Sequence, residues 1–267
     1  MRPVALTIGG SDPSGGAGIQ ADLKIFHQFG VYGEAVLTLL TVQNTTSVDR
    51  VECLAPDFVL QQLYAVLDDI PPAAAKTGAL GNAEIIGAIA QAAARFSFPL
   101  VVDPVMISKH GAALVSADAR TAIAAQLIPR AALITPNLEE AAALTGVSIR
   151  DEAGMRDGAR RLRQMGARSI LMKGGHLVGA ATDILLDGED WYEFPAPRID
   201  TAHTHGTGCV FSAAITAELA GGAAMPNAVA RAKTFIWEAI RSSPGLGRGA
   251  GPVNHHAVTA RPAAWAS

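Results

Sequence analysis

Short apolar runs alternate with amphipathic segments along the whole of this chain, and this alternation constrains the fold more than any other feature of the sequence. In the amphipathic segments apolar residues recur at helical spacing, whereas the short runs have the length and composition of buried strands. A strand followed by a helix, repeated many times, predicts right-handed βαβ units. The expected fold is therefore α/β, with helices on both faces of a mainly parallel central sheet.

The predicted elements are placed along the chain by residue number. We expect strands over residues 4–8, 73–77, 99–102, 132–135 and 169–173, and a buried apolar segment over 34–42. We expect helices over residues 18–29, 56–69, 83–96, 117–127, 138–145, 151–165, 208–220 and 227–242. No repeat, linker or change of composition divides the sequence, so we predict a single domain over 1–267. Its ordered core is expected over about 3–256, followed by a C-terminal tail over 257–267.

Composition and charge exclude several classes of protein. Hydrophobic residues make up 49% of the chain, enough for a large core, and the formal net charge is −3 without a basic block. We therefore expect no nucleic-acid partner. The two cysteines, Cys53 and Cys209, cannot build a disulfide framework. No segment reads as a signal peptide or is long enough to cross a bilayer, so we expect a cytoplasmic protein without a membrane partner.

The first polar cluster follows the first predicted strand and holds five glycines within residues 9–18. Glycines allow positive φ angles and a close approach of the backbone to a ligand. Amides exposed beside a helix start can form a nest for an anion. No Gly-Lys-Ser/Thr follows, so the loop is not a Walker A motif. The alternative is a flexible loop that binds nothing.

The second cluster, residues 203–209, leads directly into an apolar helix. Glycines at such a junction leave backbone N–H groups unpaired, and the helix dipole adds partial positive charge there. A site of this kind stabilises negative charge on a transferring phosphoryl group. We expect the thiol of Cys209 to have a lowered pKa in this position. The alternative is a tight strand-to-helix turn followed by a buried cysteine.

Further polar side chains stand at the ends of other predicted strands. Asp103, Asn137 and Glu140 offer the hard oxygen ligands that suit Mg²⁺, an ion that keeps several waters and bridges phosphates. As an alternative, Asn137 caps the following helix and Glu140 completes a capping box. Lys173 could reach phosphate oxygens, or it could be a solvated lysine before a turn.

Taken together, these clusters resemble the hydroxymethylpyrimidine/phosphomethylpyrimidine kinases, a family of the ribokinase-like superfamily. The matching stretches are residues 10–24, 42–45, 103–106, 135–141, 172–176, 204–209 and 249–255. The first stretch and the Thr-His-Gly-Thr-Gly-Cys motif at 204–209 are long and specific, and the stretches together cover essentially the whole chain. The resemblance implies a ribokinase-like three-layer α/β/α sandwich with a mainly parallel central sheet.

The resemblance also implies an activity. It is the ATP-dependent phosphorylation of 4-amino-5-hydroxymethyl-2-methylpyrimidine to its monophosphate and then to the pyrophosphate, in thiamine biosynthesis or salvage. The aminopyrimidine would be the substrate, and ATP and Mg²⁺ would be the cofactors. A homodimer is implied as well, because relatives are commonly dimers.

Site residues are implied by the same resemblance. Gln43 would hydrogen-bond the aminopyrimidine edge. The other residues around the substrate would be Gly10, Asp22, Ala79 and Val105. The ATP phosphates would lie against Asn137, Lys173, Thr207 and Gly208, and Mg²⁺ would be held by Asp103 and Glu140. The anion hole would be formed by Gly206, Thr207 and Gly208. Lys173 and Cys209 would be catalytic with the anion hole, and Cys209 would serve as a weak base where many superfamily members carry the aspartate that takes the proton of the attacking hydroxyl.

Two positions depart from patterns known in relatives and keep rival functions open. Ala79 replaces a methionine that packs on the pyrimidine in this family, which widens the pocket. Ser108 replaces the cysteine of relatives that act as pyridoxal kinases with a paired-cysteine mechanism. The rivals are a pyridoxal/pyridoxine kinase and a non-catalytic pyrimidine-binding protein; Cys209 disfavours a sugar kinase. Residues 107–111 are the candidate lid.

Two histidines near the C-terminus, His255 and His256, have no spacing typical of metal ligands, and we expect both to be exposed to solvent.

Overall fold

A single sheet of nine strands forms the centre of the fold in the computed structural model, which describes residues 2–106, 116–175 and 181–258. The strands are β1 (Val4–Ser11), β2 (Tyr32–Gln43), β3 (Val48–Cys53), β4 (Ala74–Thr77), β5 (Leu100–Val102), β6 (Leu133–Ile134), β7 (Ser169–Met172), β8 (Asp183–Asp187) and β9 (Asp190–Phe194). Their order across the sheet is β3-β2-β1-β4-β5-β6-β7-β8-β9. Neighbouring strands from β2 to β7 in this order are parallel, and the antiparallel pairs lie at the two edges. The predicted mainly parallel sheet is confirmed.

Helices cover both faces of this sheet. They are α1 (Gly18–Gln28), α2 (Pro56–Asp69), α3 (Ala83–Ala93), α4 (Ala117–Ala122), α5 (Leu138–Thr145), α6 (Glu152–Gln164), α7 (Thr207–Ala220) and α8 (Met225–Arg241). The buried residues of α1, α7 and α8 form one apolar core with the sheet, and those of α2 to α6 form a second core on the other face. The predicted three-layer sandwich is confirmed.

Alternating side chains of the central strands explain why both faces are covered. Leu6 and Ile8 of β1 pack into the core with α2 to α6, whereas Ala5 packs into the core with α1, α7 and α8. On β7, Met172 and Leu171 divide between the two cores in the same way. Parallel strands buried on both faces read as continuous apolar runs, which is why the sequence predicts them.

Three strands at the sheet edges were not predicted. β3 is an edge strand that carries Asp49, Arg50 and Glu52, and such charges discourage pairing with other chains while they hide the apolar period. β8 and β9 form a hairpin that is closed by the Asp187–Asp190 pair, with Gly188 at positive φ as the first residue of the two-residue turn. The predicted helix over 117–127 is also divided, because α4 passes into a wider π-helical turn over Ile123–Leu127.

The far C-terminal residues of the described chain are packed. Ala257 is buried, and its carbonyl oxygen accepts a hydrogen bond from the side-chain amide of Gln28 at 3.0 Å. Packed structure therefore continues beyond residue 256, and residues 259–267 of the predicted tail lie outside the described residues. Among the described helices, none has both the length and the apolar composition that a bilayer span requires.

The sheet order fixes where a ligand site should lie. β1 lies between β2 and β4: the chain continues from β1 to β2 and β3 on one side and then places β4 on the other side. In open α/β sheets ligands bind beyond the carboxyl ends of the strands at such a switch point. Here these ends carry Asp12 after β1, Asp103 after β5, Asn137 after β6 and Lys173 after β7.

Glu34 on β2 gives the fold a measurable pH dependence. Its side chain is buried, and burial, with a smaller contribution from Asp69, raises its pKa to about 7. Because this pKa exceeds the unfolded value, the folded protein binds an extra proton as pH falls from about 7 to about 4.5, and stability rises in that window. Glu34→Gln should raise the free energy of unfolding at pH 8.5 by about 1–2 kcal/mol. Urea unfolding at pH 8.5 and pH 5 checks this, and a gain of equal size at both pH values would contradict it.

Candidate active site

Lys173 joins two carboxylates at the carboxyl ends of the strands. Its Nζ lies 3.1 Å from Oδ1 of Asp103 and 3.9 Å from Oε2 of Glu140. Asp103 is buried and also accepts hydrogen bonds from the hydroxyls of Thr135 at 3.3 Å and Ser212 at 3.2 Å. Burial alone would lower the pKa of Lys173, but the two carboxylates outweigh it and raise this pKa, so the ammonium is charged at neutral pH. Lys173 is therefore not a solvated lysine before a turn.

Asn137 and Glu140 form the capping box that was the alternative to a metal site. The Asn137 side chain accepts the N–H of Glu140 at 2.8 Å, and the Glu140 carboxylate accepts the N–H of Asn137 at 2.7 Å. The capping box is confirmed, but the same carboxylate also approaches Lys173. Burial raises the pKa of Glu140 to about 7; Lys173 opposes this rise and Asp103 adds to it. Glu140 thus both starts α5 and belongs to the charged cluster.

The N-terminus of α7 faces this Lys173–Asp103–Glu140 cluster. A Cβ on Gly208 would lie 3.4 Å from Nζ of Lys173 and 3.7 Å from Oδ2 of Asp103. Gly206, just before the helix, has φ +80°, and a Cβ there would overlap the carbonyl oxygen of Gly16. Only glycine fits this position, because it needs both a left-handed φ and a close backbone approach.

Within the first turn of α7 the amides are not equivalent. The N–H of Thr207 donates to the carbonyl of Thr204 at 3.3 Å, and the Thr207 hydroxyl donates to the same oxygen at 2.7 Å. The N–H groups of the next two residues, Gly208 and Cys209, have no helical carbonyl four residues earlier to bind. These two amides are the donors that the first turn can offer to an anion.

The pKa of the Cys209 thiol differs from the one expected from the sequence. Burial raises its pKa to about 12, although the ammonium of Lys76 and the N–H of Gly18 act in the opposite direction. The expected lowering by the helix terminus is therefore wrong for this thiol, because loss of hydration is the larger effect. At neutral pH the sulfur keeps its proton.

Lys76 and Asp22 form a fully buried ion pair beneath the site. Nζ of Lys76 lies 2.7 Å from Oδ1 of Asp22, and their side chains are 0% and 3% exposed. Oδ2 of Asp22 accepts the hydroxyl of Thr7 at 2.6 Å, and Nζ of Lys76 lies 3.5 Å from the carbonyl oxygen of Cys209. Asp22 thus has protein partners on both carboxylate oxygens. The only sequence signal for this pair was a lysine inside the apolar strand β4.

The glycine-rich loop after β1 is closed by its own aspartate. The carboxylate of Asp12 accepts the N–H groups of Ser14 at 2.9 Å and Ala17 at 2.8 Å, and its carbonyl accepts the N–H of Gly15 at 2.9 Å. The predicted anion nest is therefore wrong for these three amides, because Asp12 already occupies them. The loop is an internally bonded turn that positions α1.

Four of the predicted substrate residues, Gly10, Gln43, Ala79 and Val105, stand at or just after the ends of strands β1, β2, β4 and β5. Gly10 of β1 packs on the side chain of Leu39 in β2, and the carbonyl of Ala79, after β4, accepts the hydroxyl of Thr38 in β2 at 2.7 Å. Gln43 ends β2. The N–H of Val105 donates to the carbonyl of Asp103 at 2.8 Å, which folds the segment after β5 back on itself.

His205, at the N-terminus of α7, contacts residues that follow β1 and end β2. No sequence pattern predicted these contacts. Its Nε2 lies 2.7 Å from Oδ2 of Asp12 and 3.4 Å from the side-chain amide nitrogen of Gln43. It directly precedes Gly206 in the chain.

The predicted exposure of the two C-terminal histidines is half right. His256 is exposed, but His255 is buried at 7% exposure. Burial, chiefly, lowers the pKa of His255 to about 4, although a hydrogen bond with the backbone of Gly16 opposes this. His255 therefore packs under the glycine-rich loop. Ser108 and the candidate lid over 107–111 lie outside the described residues.

Comparison with known proteins gives a consistent result. The family model for phosphomethylpyrimidine kinase matches residues 12–254. The chain is 50% identical to the thiamine biosynthesis bifunctional protein ThiED of Geobacter sulfurreducens, covering 95% of this chain and 52% of that protein, so it spans about half of that relative. It is 45% identical to the hydroxymethylpyrimidine/phosphomethylpyrimidine kinase of Streptomyces coelicolor, covering 95% and 94% of the two chains. Among solved structures, the ADP complex of Bacillus subtilis pyridoxal kinase superimposes with a TM-score of 0.87 at 39% identity, covering 96% and 98% of the two chains.

Proposed function

Because the chain belongs to the phosphomethylpyrimidine kinase family, we propose that it transfers the γ-phosphoryl group of ATP to 4-amino-5-hydroxymethyl-2-methylpyrimidine and then to the resulting monophosphate. The pyrophosphate product serves thiamine biosynthesis or salvage. We also propose that the reaction takes place in the cytoplasm, where ATP is available.

One observation carries this proposal. The charged ammonium of Lys173 lies beside the first turn of α7, whose Gly208 and Cys209 amides are donors for an anion. A cation and a helix N-terminus aimed at one point stabilise the charge of a phosphoryl group in transfer. A loose transition state needs this positioning and charge stabilisation more than it needs a strong base.

Asp103 and Glu140 suit a magnesium ion at the same place. Both carboxyl groups offer oxygen ligands beside Lys173, and a metal ion there would offset the negative charge of the ATP phosphates. Within the described ranges no group of three ligand-type side chains could hold a metal by itself. Mg²⁺ needs only one or two carboxylates, because phosphate oxygens and waters complete its coordination. When bound, it would supply charge neutralisation on the phosphates.

The two transfers place different demands on the protein. In the first, the hydroxymethyl oxygen forms a bond to the γ-phosphorus, the bond to the bridging oxygen breaks, ADP leaves, and the proton of the hydroxyl is released to water. In the second, the nucleophile is a phosphate oxygen that is already ionised at neutral pH. We assign Lys173 and the amides of Gly208 and Cys209 to stabilising the transferred group in both.

Cys209→Ala should slow both transfers to a similar extent, by less than the roughly 100-fold minimum typical of losing a general base. The reason is that a thiol with a pKa raised to about 12 does not remove a proton at neutral pH. Values of kcat with the alcohol and with the monophosphate check this, and Cys53→Ala, at an exposed cysteine, is the matched control. A larger loss confined to the first transfer would restore Cys209 as the base.

Pyridoxal kinase activity is the second candidate, supported by two observations. The Bacillus subtilis neighbour is a pyridoxal kinase, and Ala79 leaves more room beside the ring than a methionine would. Its substrate also carries a hydroxymethyl group on a nitrogen heteroaromatic ring, so the phosphoryl site serves either.

Release of ADP tests the proposed function. The enzyme with Mg·ATP should release ADP when the hydroxymethylpyrimidine or its monophosphate is added, and EDTA should abolish the signal. Binding of the pyrimidine without ADP release would instead identify a non-catalytic binding protein.

We further propose that the enzyme is a homodimer that associates through the hairpin of β2 and β3. Leu40 and Val42 project from β2 with 44% and 55% of their surface exposed, beside the edge strand β3. The charges of β3 discourage strand pairing at the edge itself, so the contact would be made by these exposed apolar side chains of β2.

A further inference from the structure

Asp12 and His205 form a buried polar pair at the substrate end of the site. Each residue is 3% exposed, and Oδ2 of Asp12 lies 2.7 Å from Nε2 of His205. Burial tends to raise the pKa of Asp12, but its hydrogen bonds with His205 and Ser14 outweigh this and lower it. Asp12 is therefore ionised at neutral pH. Because an ionised carboxylate only accepts hydrogen bonds, Nε2 of His205 must carry a hydrogen in this contact.

The hydrogen on Nε2 of His205 determines whether the oxygen or the nitrogen of the Gln43 side-chain amide lies beside it. The amide nitrogen of Gln43 is placed 3.4 Å from Nε2 of His205, so two donors would meet there. The oxygen and nitrogen of a side-chain amide exchange places by a half-turn, and the hydrogen-bond network decides between the two orientations. The oxygen belongs beside His205, and the NH₂ group belongs on the other branch.

His205 is held firmly enough to impose this choice. Its backbone N–H donates to Gly251 at 3.0 Å, and its carbonyl accepts the N–H of Val253 at 3.2 Å. The imidazole packs so closely on Gly16 that a Cβ on Gly16 would overlap the ring. Ring and backbone are therefore both fixed.

We propose that His205 is a positioning residue that holds the Gln43 amide in one orientation, with its oxygen beside Nε2–H and its NH₂ group turned toward the substrate ring. The inference rests on the proposed function, in which Gln43 meets the aminopyrimidine edge. In this orientation the amide oxygen accepts from an exocyclic amino group and the NH₂ group donates to the adjacent ring nitrogen. The site selects a 4-aminopyrimidine edge and rejects the 4-oxo edge, in which donor and acceptor are exchanged.

Two substrate analogues test this selection directly. The wild-type enzyme should prefer 4-amino-5-hydroxymethyl-2-methylpyrimidine over its 4-oxo counterpart by at least about 100-fold in kcat/KM. In Asp12→Asn the neutral side chain can donate to Nε2, so His205 can take its other tautomer and Gln43 can rotate. The preference should then fall to less than about 10-fold.

Gln20→Ala is the matched control. The Gln20 side chain accepts the N–H of Asp12 at 2.9 Å and donates to the hydroxyl of Ser11 at 2.7 Å, so it supports the same loop without contacting His205. This variant should lower kcat/KM for both analogues by the same factor. If the ratio of kcat/KM for the 4-amino and 4-oxo analogues is the same in Asp12→Asn as in the wild type, the proposal is overturned. The Asp12–His205 pair would then have only a structural role.

The tautomer of His205 gives a second readout, which is measured on the wild-type protein and so requires no variant to fold. Long-range ¹H–¹⁵N spectra of the wild-type protein should show a hydrogen on Nε2 of His205, and an unprotonated Nε2 would overturn the proposal. If the wild-type enzyme phosphorylates neither analogue, the proposed function fails, whereas the Nε2–H signal in the same sample would still support the placement of the Gln43 oxygen.

Discussion

Replacing Lys173 by methionine should lower kcat for both phosphoryl transfers by about 10²–10³-fold, the usual loss when one preorganised charge-stabilising group is removed. Lys173 is a cation beside the first turn of α7, and the charge on the transferred phosphoryl group is the same with either acceptor substrate. KM for the pyrimidine should change little, because Lys173 is assigned to the transferred phosphoryl group and not to the pyrimidine ring. Steady-state kinetics with the alcohol and with the monophosphate measure both parameters.

Lys233→Met is the matched control for Lys173→Met. Lys233 also forms a short, mostly buried ion pair, with Nζ 2.7 Å from Oδ2 of Asp183, but it belongs to α8, and its other partner is the carbonyl of Ala181. The Lys233→Met variant should be less stable than the wild-type protein but should keep most of the wild-type kcat. Equal losses of kcat in the two variants would mean that a buried ion pair supports the fold and that Lys173 has no special part in the transfer.

Replacing Lys76 by methionine should lower the free energy of unfolding by about 3–5 kcal/mol, because it leaves the carboxylate of Asp22 buried without its partner. Burial alone would lower the pKa of Lys76, but the attraction of Asp22 outweighs burial and raises it, so the lysine is charged in the folded protein. Urea unfolding at pH 7 measures the loss.

A double variant separates loss of the charge pair from loss of packing. Lys76→Met combined with Asp22→Asn removes both charges and keeps an acceptor for the hydroxyl of Thr7, so it should recover more than half of the lost stability. If the double variant is as unstable as Lys76→Met alone, packing around the lysine stem and not the unpaired carboxylate explains the loss.

The sequence predicted the parallel centre of the fold but not its edges. Buried parallel strands such as β1 and β7 are continuous apolar runs and can be recognised without neighbours. β3 and β9 are edge strands with mixed polar composition, and their pairing depends on β2 and β8, which only tertiary structure brings beside them. The alternation of apolar and polar residues that is typical of a strand is hard to recognise in β3, because this strand carries Asp49, Arg50 and Glu52.

The candidate site divides in a similar way. Positions near strand ends singled out Asp103, Glu140 and Lys173 as separate candidates, and the structure brings the three together, because parallel strands end at one edge of a sheet. The pairs Lys76–Asp22 and Asp12–His205 join residues 54 and 193 positions apart, and no local pattern links them. The pKa of Cys209 was predicted in the wrong direction because the motif shows the helix terminus but not the burial of the thiol.

The most direct test of the central claim is a competition between substrates in one reaction. Wild-type enzyme with Mg·ATP would receive equal concentrations of 4-amino-5-hydroxymethyl-2-methylpyrimidine and pyridoxal, and mass spectrometry would follow the products over time. We expect the pyrimidine monophosphate to appear first and the pyrophosphate to follow, with little pyridoxal phosphate. Pyridoxal phosphate as the main product, without the pyrimidine pyrophosphate, would contradict the account.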